Sequence, residues 1–210
     1  GIDYRSPSFD LGGATASFKY NFTPEASGSA VGEGGVSASS GTMASGSALG
    51  VDVAMGGLSV GAFGAQVNAD AIRTAPTLTT GRTQTDAFDG TWYAKWSSGP
   101  VSVGYQVGII SRGLSGAAVA AATAATVTGS GGEFETESMS VAFNVNENFS
   151  ISWGELTETY DGGTNVAAGR ATDIADVDMD STSIQFAYTM GSMSIKGYQT
   201  DTDNPGWDSD

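Results

Sequence analysis

The sequence predicts an all-β chain folded as a transmembrane up-and-down antiparallel β-barrel, on three observations. Apolar and polar residues alternate with a period of two along most segments, tight turns recur at a near-constant interval, and the connections are alternately short and long. Side chains of an extended strand point to opposite faces, so this alternation gives each strand one apolar and one polar face. It is clearest in "MSVAFNVNENFSISWGE" (residues 139–155). There Met139, Val141, Phe143 and Val145 precede a polar Asn146-Glu147-Asn148 turn, and Phe149, Ile151 and Trp153 follow it.

In chain order, "LGGA" (11–14) is a turn leading into the alternating "ATASFKYNF" (14–22). "SALGVDVAM" (47–55) and "LSVGAFGAQV" (58–67) flank the turn "MGGL", and "GTWYAKW" (90–96) and "VSVGYQVGII" (101–110) flank "SSGP". The 139–153 hairpin turns at "VNEN", and "SIQFAYTM" (183–190) and "MSIKGYQT" (193–200) meet at "MGSM". Turns of two to four residues are those hairpins prefer. Segment 58–67 can be made apolar on either parity, so no facing is assigned to it. The five turns recur about every 45 residues, a period that marks architecture.

The other connections, 23–46, 68–84, 113–132 and 161–177, are rich in Gly, Ser, Thr, Asp and Ala with little periodicity. Structureless connections of that length are uncommon in a compact soluble domain. A barrel with tight turns on one rim and elaborate loops on the other produces them, as outer-membrane barrels do. The second face of the strands carries mainly Ser, Gly, Ala, Thr, Asn and Gln, while acids collect in loops such as "TDIADVDMDS" (172–181). Small neutral polar groups suit a water-filled interior. Trp96 and Phe149 beside turns, and Trp92, Trp153 and Tyr160 toward the long loops, are read as an interfacial aromatic girdle on the apolar face.

Composition closes off several function classes. With 40% hydrophobic residues the chain has enough apolar material to fold. It contains no Cys and no His, which removes disulfides, thiol chemistry, imidazole bases and the usual zinc ligands. Barrel phospholipases and proteases rely on a His, and no serine sits in a recognisable elbow or Ser-x-x-Lys setting, so no catalytic residue is assigned and the chain is read as no enzyme. No Gly-x-Gly-x-x-Gly opens a helix, and no cofactor is expected. A net charge of −15, with eight scattered basic residues, argues against nucleic acid. The least polar run, "AAVAAATAATV" (117–127), is too short and too weakly apolar for a membrane-crossing helix of about 20 residues.

The hairpins "ETESMSVAFNVNENFSISWGE" and "STSIQFAYTMGSMSIKGYQTDTDN" resemble consecutive hairpins of Gram-negative outer-membrane porins, particularly those of alphaproteobacteria. The likeness is one of hairpin style, best over residues 135–204. It implies a 16-stranded barrel, usually a homotrimer, seated in outer-membrane lipid and lipopolysaccharide and passing small hydrophilic solutes and ions by diffusion. Five turns imply about ten strands, whereas sixteen would need roughly 360 residues. Residues 1–210 are therefore read as a single barrel domain, an internal fragment of a longer porin chain. The final "DNPGWDSD" (203–210) reads as a loop.

With the apolar parity toward lipid, the opposite parity lines the lumen. That assigns Lys19, Asp52, Lys95, Gln106, Gln185 and Lys196 to the channel wall, with Arg112 at the loop end of its strand. The Ala-rich loop 113–132 is read either as a short helix folded into the pore or as a surface loop. Asp173, Asp176, Asp178 and Asp180 lack EF-hand spacing and are read as solvated loop acids, not a metal site, with weak divalent bridging to lipopolysaccharide as their one special role. The acidic balance suggests cation preference. Two alternatives stay open: a structural or adhesive surface β-protein with no channel, and a substrate-specific barrel transporter.

Overall fold

The computed structural model of the chain describes residues 1–24, 26–27, 42–43, 45–68, 86–111, 133–161, 164–167, 170–173 and 175–207. Its strands are β1 (Ile2–Arg5), β2 (Phe9–Asp10), β3 (Ala14–Thr23), β4 (Ala26–Ser27), β5 (Thr42–Met43), β6 (Gly46–Met55), β7 (Leu58–Val67) and β8 (Ala87–Ser98). They continue with β9 (Val101–Ser111), β10 (Glu133–Asn146), β11 (Phe149–Asp161), β12 (Thr164–Ala167), β13 (Arg170–Asp173), β14 (Val177–Met190) and β15 (Met193–Asp203). No helix occurs among the described residues.

One antiparallel sheet runs β1-β3-β6-β7-β8-β9-β10-β11-β14-β15, with β2 also on β3. Each long strand pairs with its chain neighbours, which is up-and-down order. β1 and β2 are two halves of one edge strand, interrupted at Ser6-Pro7-Ser8. There the Ser6 hydroxyl accepts from Phe18 N–H at 2.8 Å and Ser6 N–H donates to Phe18 O at 2.9 Å, which keeps the ladder paired beside the proline. The outer edges of β1 and β15 are not joined, so the sheet is open.

All five expected tight turns are present. Gly56, Gly99 and Gly191 hold φ of 57°, 56° and 60°, the left-handed region that two-residue hairpin turns require and that glycine enters without steric cost. The β10–β11 turn is built differently: the Asn146 side-chain oxygen accepts from the backbone N–H groups of Asn148 and Phe149, both at 2.9 Å.

The strands run further toward the long connections than the alternation indicates. β10 starts at Glu133, β11 ends at Asp161 and β14 starts at Val177. Asp178 and Asp180, expected as loop acids, are strand residues that accept hydrogen bonds from Thr159 at 2.7 Å and Thr157 at 2.6 Å on β11. Asp173 likewise closes β13, and Asp176 stands exposed before β14. The long connections are not uniformly irregular: β12 pairs with β13 inside 161–177, and β4 pairs with β5 inside 23–46. The Ala-rich run 117–127 and Arg112 lie outside the described residues.

Candidate functional site

The register divides the sheet into two faces of opposite character. On one lie Phe18, Val51, Trp92, Val103, Val141, Ile151, Phe186 and Ile195; on the other lie Lys19, Asp52, Tyr93, Gln106, Ser138, Ser152, Gln185 and Lys196. The exposed large apolar side chains in paired strands belong to the first face, except Ile110 and Tyr198 and apart from Val145 at a bulge. Segment 58–67, ambiguous in sequence, turns Leu58, Val60 and Ala62 to the apolar face and Phe63 to the polar one. Phe134 and Tyr160 are the only buried apolar residues among those described. Among the described residues no second sheet packs on this apolar surface, so the sheet is not held by a core built from them. Leaving about two dozen such side chains in water, at ~1.5 kcal/mol each for partial exposure, would forgo tens of kcal/mol against a typical folding stability of ~5–15 kcal/mol.

The apolar face has a sharp border on the long-connection side. Moving outward, Met139 gives way to Glu137, Glu135 and Glu133 on β10 and Trp153 to Glu155 on β11. Ile184 gives way to Thr182, Asp180 and Asp178 on β14, and β15 ends in Asp201 and Asp203. Trp92 and Tyr105 stand at this border with ring centroids 5.3 Å apart, and the Tyr105 hydroxyl donates to Glu137 at 2.7 Å. Among the described residues no three acids converge as a metal site would require.

The band also climbs across the sheet. The row of paired residues through Phe18 runs Val51, Ala62, Trp92, Val107, Glu137, Thr157 and reaches Asp180, seven strands on. Phe18 is in the middle of the band on β3, but Asp180 stands six positions short of Phe186, its counterpart on β14. A climb of nearly one residue per strand, at ~3.3 Å per residue and ~4.8 Å between strands, corresponds to strands tilted by roughly 30–35° to the band's normal.

At the centre of the polar face Lys19 Nζ lies 3.6 Å from Asp52 Oδ2, the ion pair seen among the described residues. The Tyr93 hydroxyl donates to the other Asp52 oxygen at 2.8 Å. Lys19 Nζ is also 5.3 Å from the centroid of the Phe63 ring, and Phe63 and Tyr93 hold nearly parallel planes, 10° apart, with centroids 6.4 Å apart. Both rings lean over a glycine on the preceding strand, Phe63 over Gly50 and Tyr93 over Gly61, and a Cβ at either glycine would collide with the ring. Beside them Gln106 donates to Thr91 Oγ1 at 3.2 Å, and Thr91 donates to Val107 O at 2.9 Å.

Of the seven residues assigned from sequence, Lys19, Asp52 and Gln106 fall in this neighbourhood. Lys95 stands on the same face nearer the turns, and Gln185 and Lys196 lie several strands away toward the β15 edge. Because the band climbs, Lys19, Asp52, Gln106, Gln185 and Lys196 all stand within two positions of the middle of the apolar stretch on their own strands, and so at one level. Phe63 and Tyr93 were missed by the sequence reading. For Phe63 no parity was assigned to its strand; Tyr93 shares the parity of Lys95 and was legible from it.

A second cluster sits on the polar face beside the long connections. Tyr160, expected in the apolar girdle, has the parity opposite to Phe149, Ile151 and Trp153; it is 1% exposed and packs on Phe134 with ring centroids 4.9 Å apart. The turn after β15 folds back over this pair. Trp207 meets Phe134 edge-on at 5.1 Å and its indole N–H donates to Glu158 O at 3.1 Å, while Asn204 Nδ2 donates to Asp178 O at 3.1 Å. The stretch reads as a loop in sequence, and its Trp anchors it to the sheet. The chain matches no family model and none of the curated proteins compared with it.

Proposed function

We propose that the chain forms wall of an outer-membrane porin, a water-filled channel through which small hydrophilic solutes and ions diffuse passively. The observation that carries this is the continuous apolar face of a single sheet, bordered by carboxylates and uncovered among the described residues. Lipid would satisfy it where water cannot. The band supports the same reading in two further ways: its stretches of up to nine residues approach the ~9–11 of a membrane-crossing strand, and its climb matches the ~35–45° tilt of such strands roughly. In a bilayer the two free edges would have to be paired, with one another or with further strands, because unpaired backbone groups are costly in hydrocarbon.

The polar face would then be the lumen wall. Its Ser, Thr, Gly and Ala side chains are short and leave room for water, and the level of Lys19, Asp52, Gln106, Gln185 and Lys196 would form a charged mid-channel belt that screens solutes by charge and dipole. The net charge of −15 favours cations. Assembly as a homotrimer in lipopolysaccharide-containing membrane belongs to the same proposal. The test is current through a planar bilayer after adding detergent-purified full-length protein under a tenfold KCl gradient. Stable stepwise conductance with a cation-selective reversal potential is the expected result. Absence of steps from folded protein would overturn the proposal in favour of a surface β-protein that carries no current.

A further inference from the structure

We propose that the recess beside Phe63, next to the Tyr93 ring, is a binding subsite for pyranose sugars; this deepens the channel proposal and rests on it for its biological setting. A recess of about 610 Å³ opens beside Phe63, with Lys19, Asp89, Thr91, Gln106 and Thr136 along its lining. That volume is within the ~300–1,000 Å³ typical of small-molecule sites. Much of its lining is apolar, with Phe63, Ala48, Ala65 and Ile110, and Gly108 adds no side chain. Its rim carries hydrogen-bonding groups of both kinds. Asp89, and Asp52 beside it, accept; Lys19 donates; Thr91 and Gln106 do both.

An apolar lining with a polar girdle is the complement of a pyranose, whose C–H faces are apolar and whose hydroxyls radiate around the ring edge. The nearly parallel rings of Phe63 and Tyr93 give a surface longer than one sugar ring, and the glycines beneath them leave the rings no Cβ to ride over. Other ligand classes fit less well. A small anion would meet Asp89 and Asp3 and a lysine already paired with Asp52. A purely apolar solute would cover Lys19, Asp89 and Gln106 and displace water from them without offering a hydrogen bond in return. The Lys19 contacts, 3.6 Å to Asp52 and 5.3 Å to the Phe63 centroid, are loose, and half of the Lys19 side chain is exposed, so a sugar hydroxyl can take its ammonium as partner at small cost.

Calorimetric titration of maltotriose into the full-length protein, in a detergent without a sugar headgroup, tests the subsite independently of any current. Saturable binding is expected, with sorbitol, an acyclic polyol, giving no heat of binding. Phe63→Leu and Tyr93→Leu should each weaken binding about tenfold, the scale of one lost aromatic contact, while Tyr198→Leu, at an exposed aromatic of the same face near the β15 edge, should leave it unchanged. Each variant's heat-dependent gel migration reports whether it folds. Conductance steps without maltotriose binding would overturn the subsite and spare the channel; binding without steps would do the reverse. Equal binding of maltotriose and sorbitol, or by folded Phe63→Leu and wild type, would also overturn the subsite.

Discussion

Asp52 holds two partners at once, one oxygen toward Lys19 and one toward the Tyr93 hydroxyl. Removing the lysine charge therefore leaves a carboxylate that is still oriented by Tyr93. Lys19→Gln should raise the cation-to-anion permeability ratio by about twofold, since a single charge acting through screened water is worth less than ~1 kcal/mol. Asp52→Asn should lower the ratio by a similar factor, and reversal potentials under a KCl gradient check both. Tyr93→Phe keeps the ring over Gly61 and loses only the hydrogen bond. It should change selectivity less than Asp52→Asn and keep the maltotriose affinity within about threefold if stacking dominates there.

At the scale of the element, the two faces of β11 make opposite demands. Ile151→Arg puts a charge on the apolar face mid-band and should cost about 2–4 kcal/mol in a bilayer, while Ser152→Arg, one residue on and facing the other way, should cost under about 1 kcal/mol. Denaturant unfolding in lipid vesicles measures the difference, and equal costs would contradict the assignment of faces. Gly99→Ala, at φ of 56°, should cost about 1–2 kcal/mol from the turn alone. The hairpins were legible in sequence because glycine at left-handed turns and the contrast between Met139, Val141, Phe143 and their small polar neighbours are both local signals. The strand ends were not: in "EFETES" (133–138) and "VDMDST" (177–182) acids and threonines fill the face that is apolar further along, so period two no longer separates one face from the other. Tyr160 shows the same loss of contrast, since beyond Trp153 a large ring no longer marks the apolar parity. The Lys19–Asp52 pair was legible residue by residue, but its joining to Tyr93 and Phe63 depends on register between strands far apart in sequence.

The whole sheet offers a test that the native sequence makes clean. The chain contains no cysteine, so single cysteines report without background. Ile184→Cys and Phe186→Cys should react with a lipid-soluble maleimide and resist a membrane-impermeant one. Ser183→Cys and Gln185→Cys should show the reverse, and reactivity that fails to alternate along β14 would sink the barrel. The climb of the band has a further consequence for transport. The rows of paired residues on the polar face, such as Ser97, Ser102, Ala142, Ser152 and Gln185, follow strand pairing and so run oblique to the apolar band, and in a porin would run oblique to the membrane plane, like a thread cut into the wall. A solute that keeps to the strands, handing its hydrogen bonds from one residue to the next but one, would travel a slanted route about 1.2 times the thickness it crosses. One that moves straight through must also step from strand to strand, exchanging its partners each time. Friction along the wall would then depend on whether a solute is small enough to follow the groove, a kind of sieving that needs no narrowing of the channel.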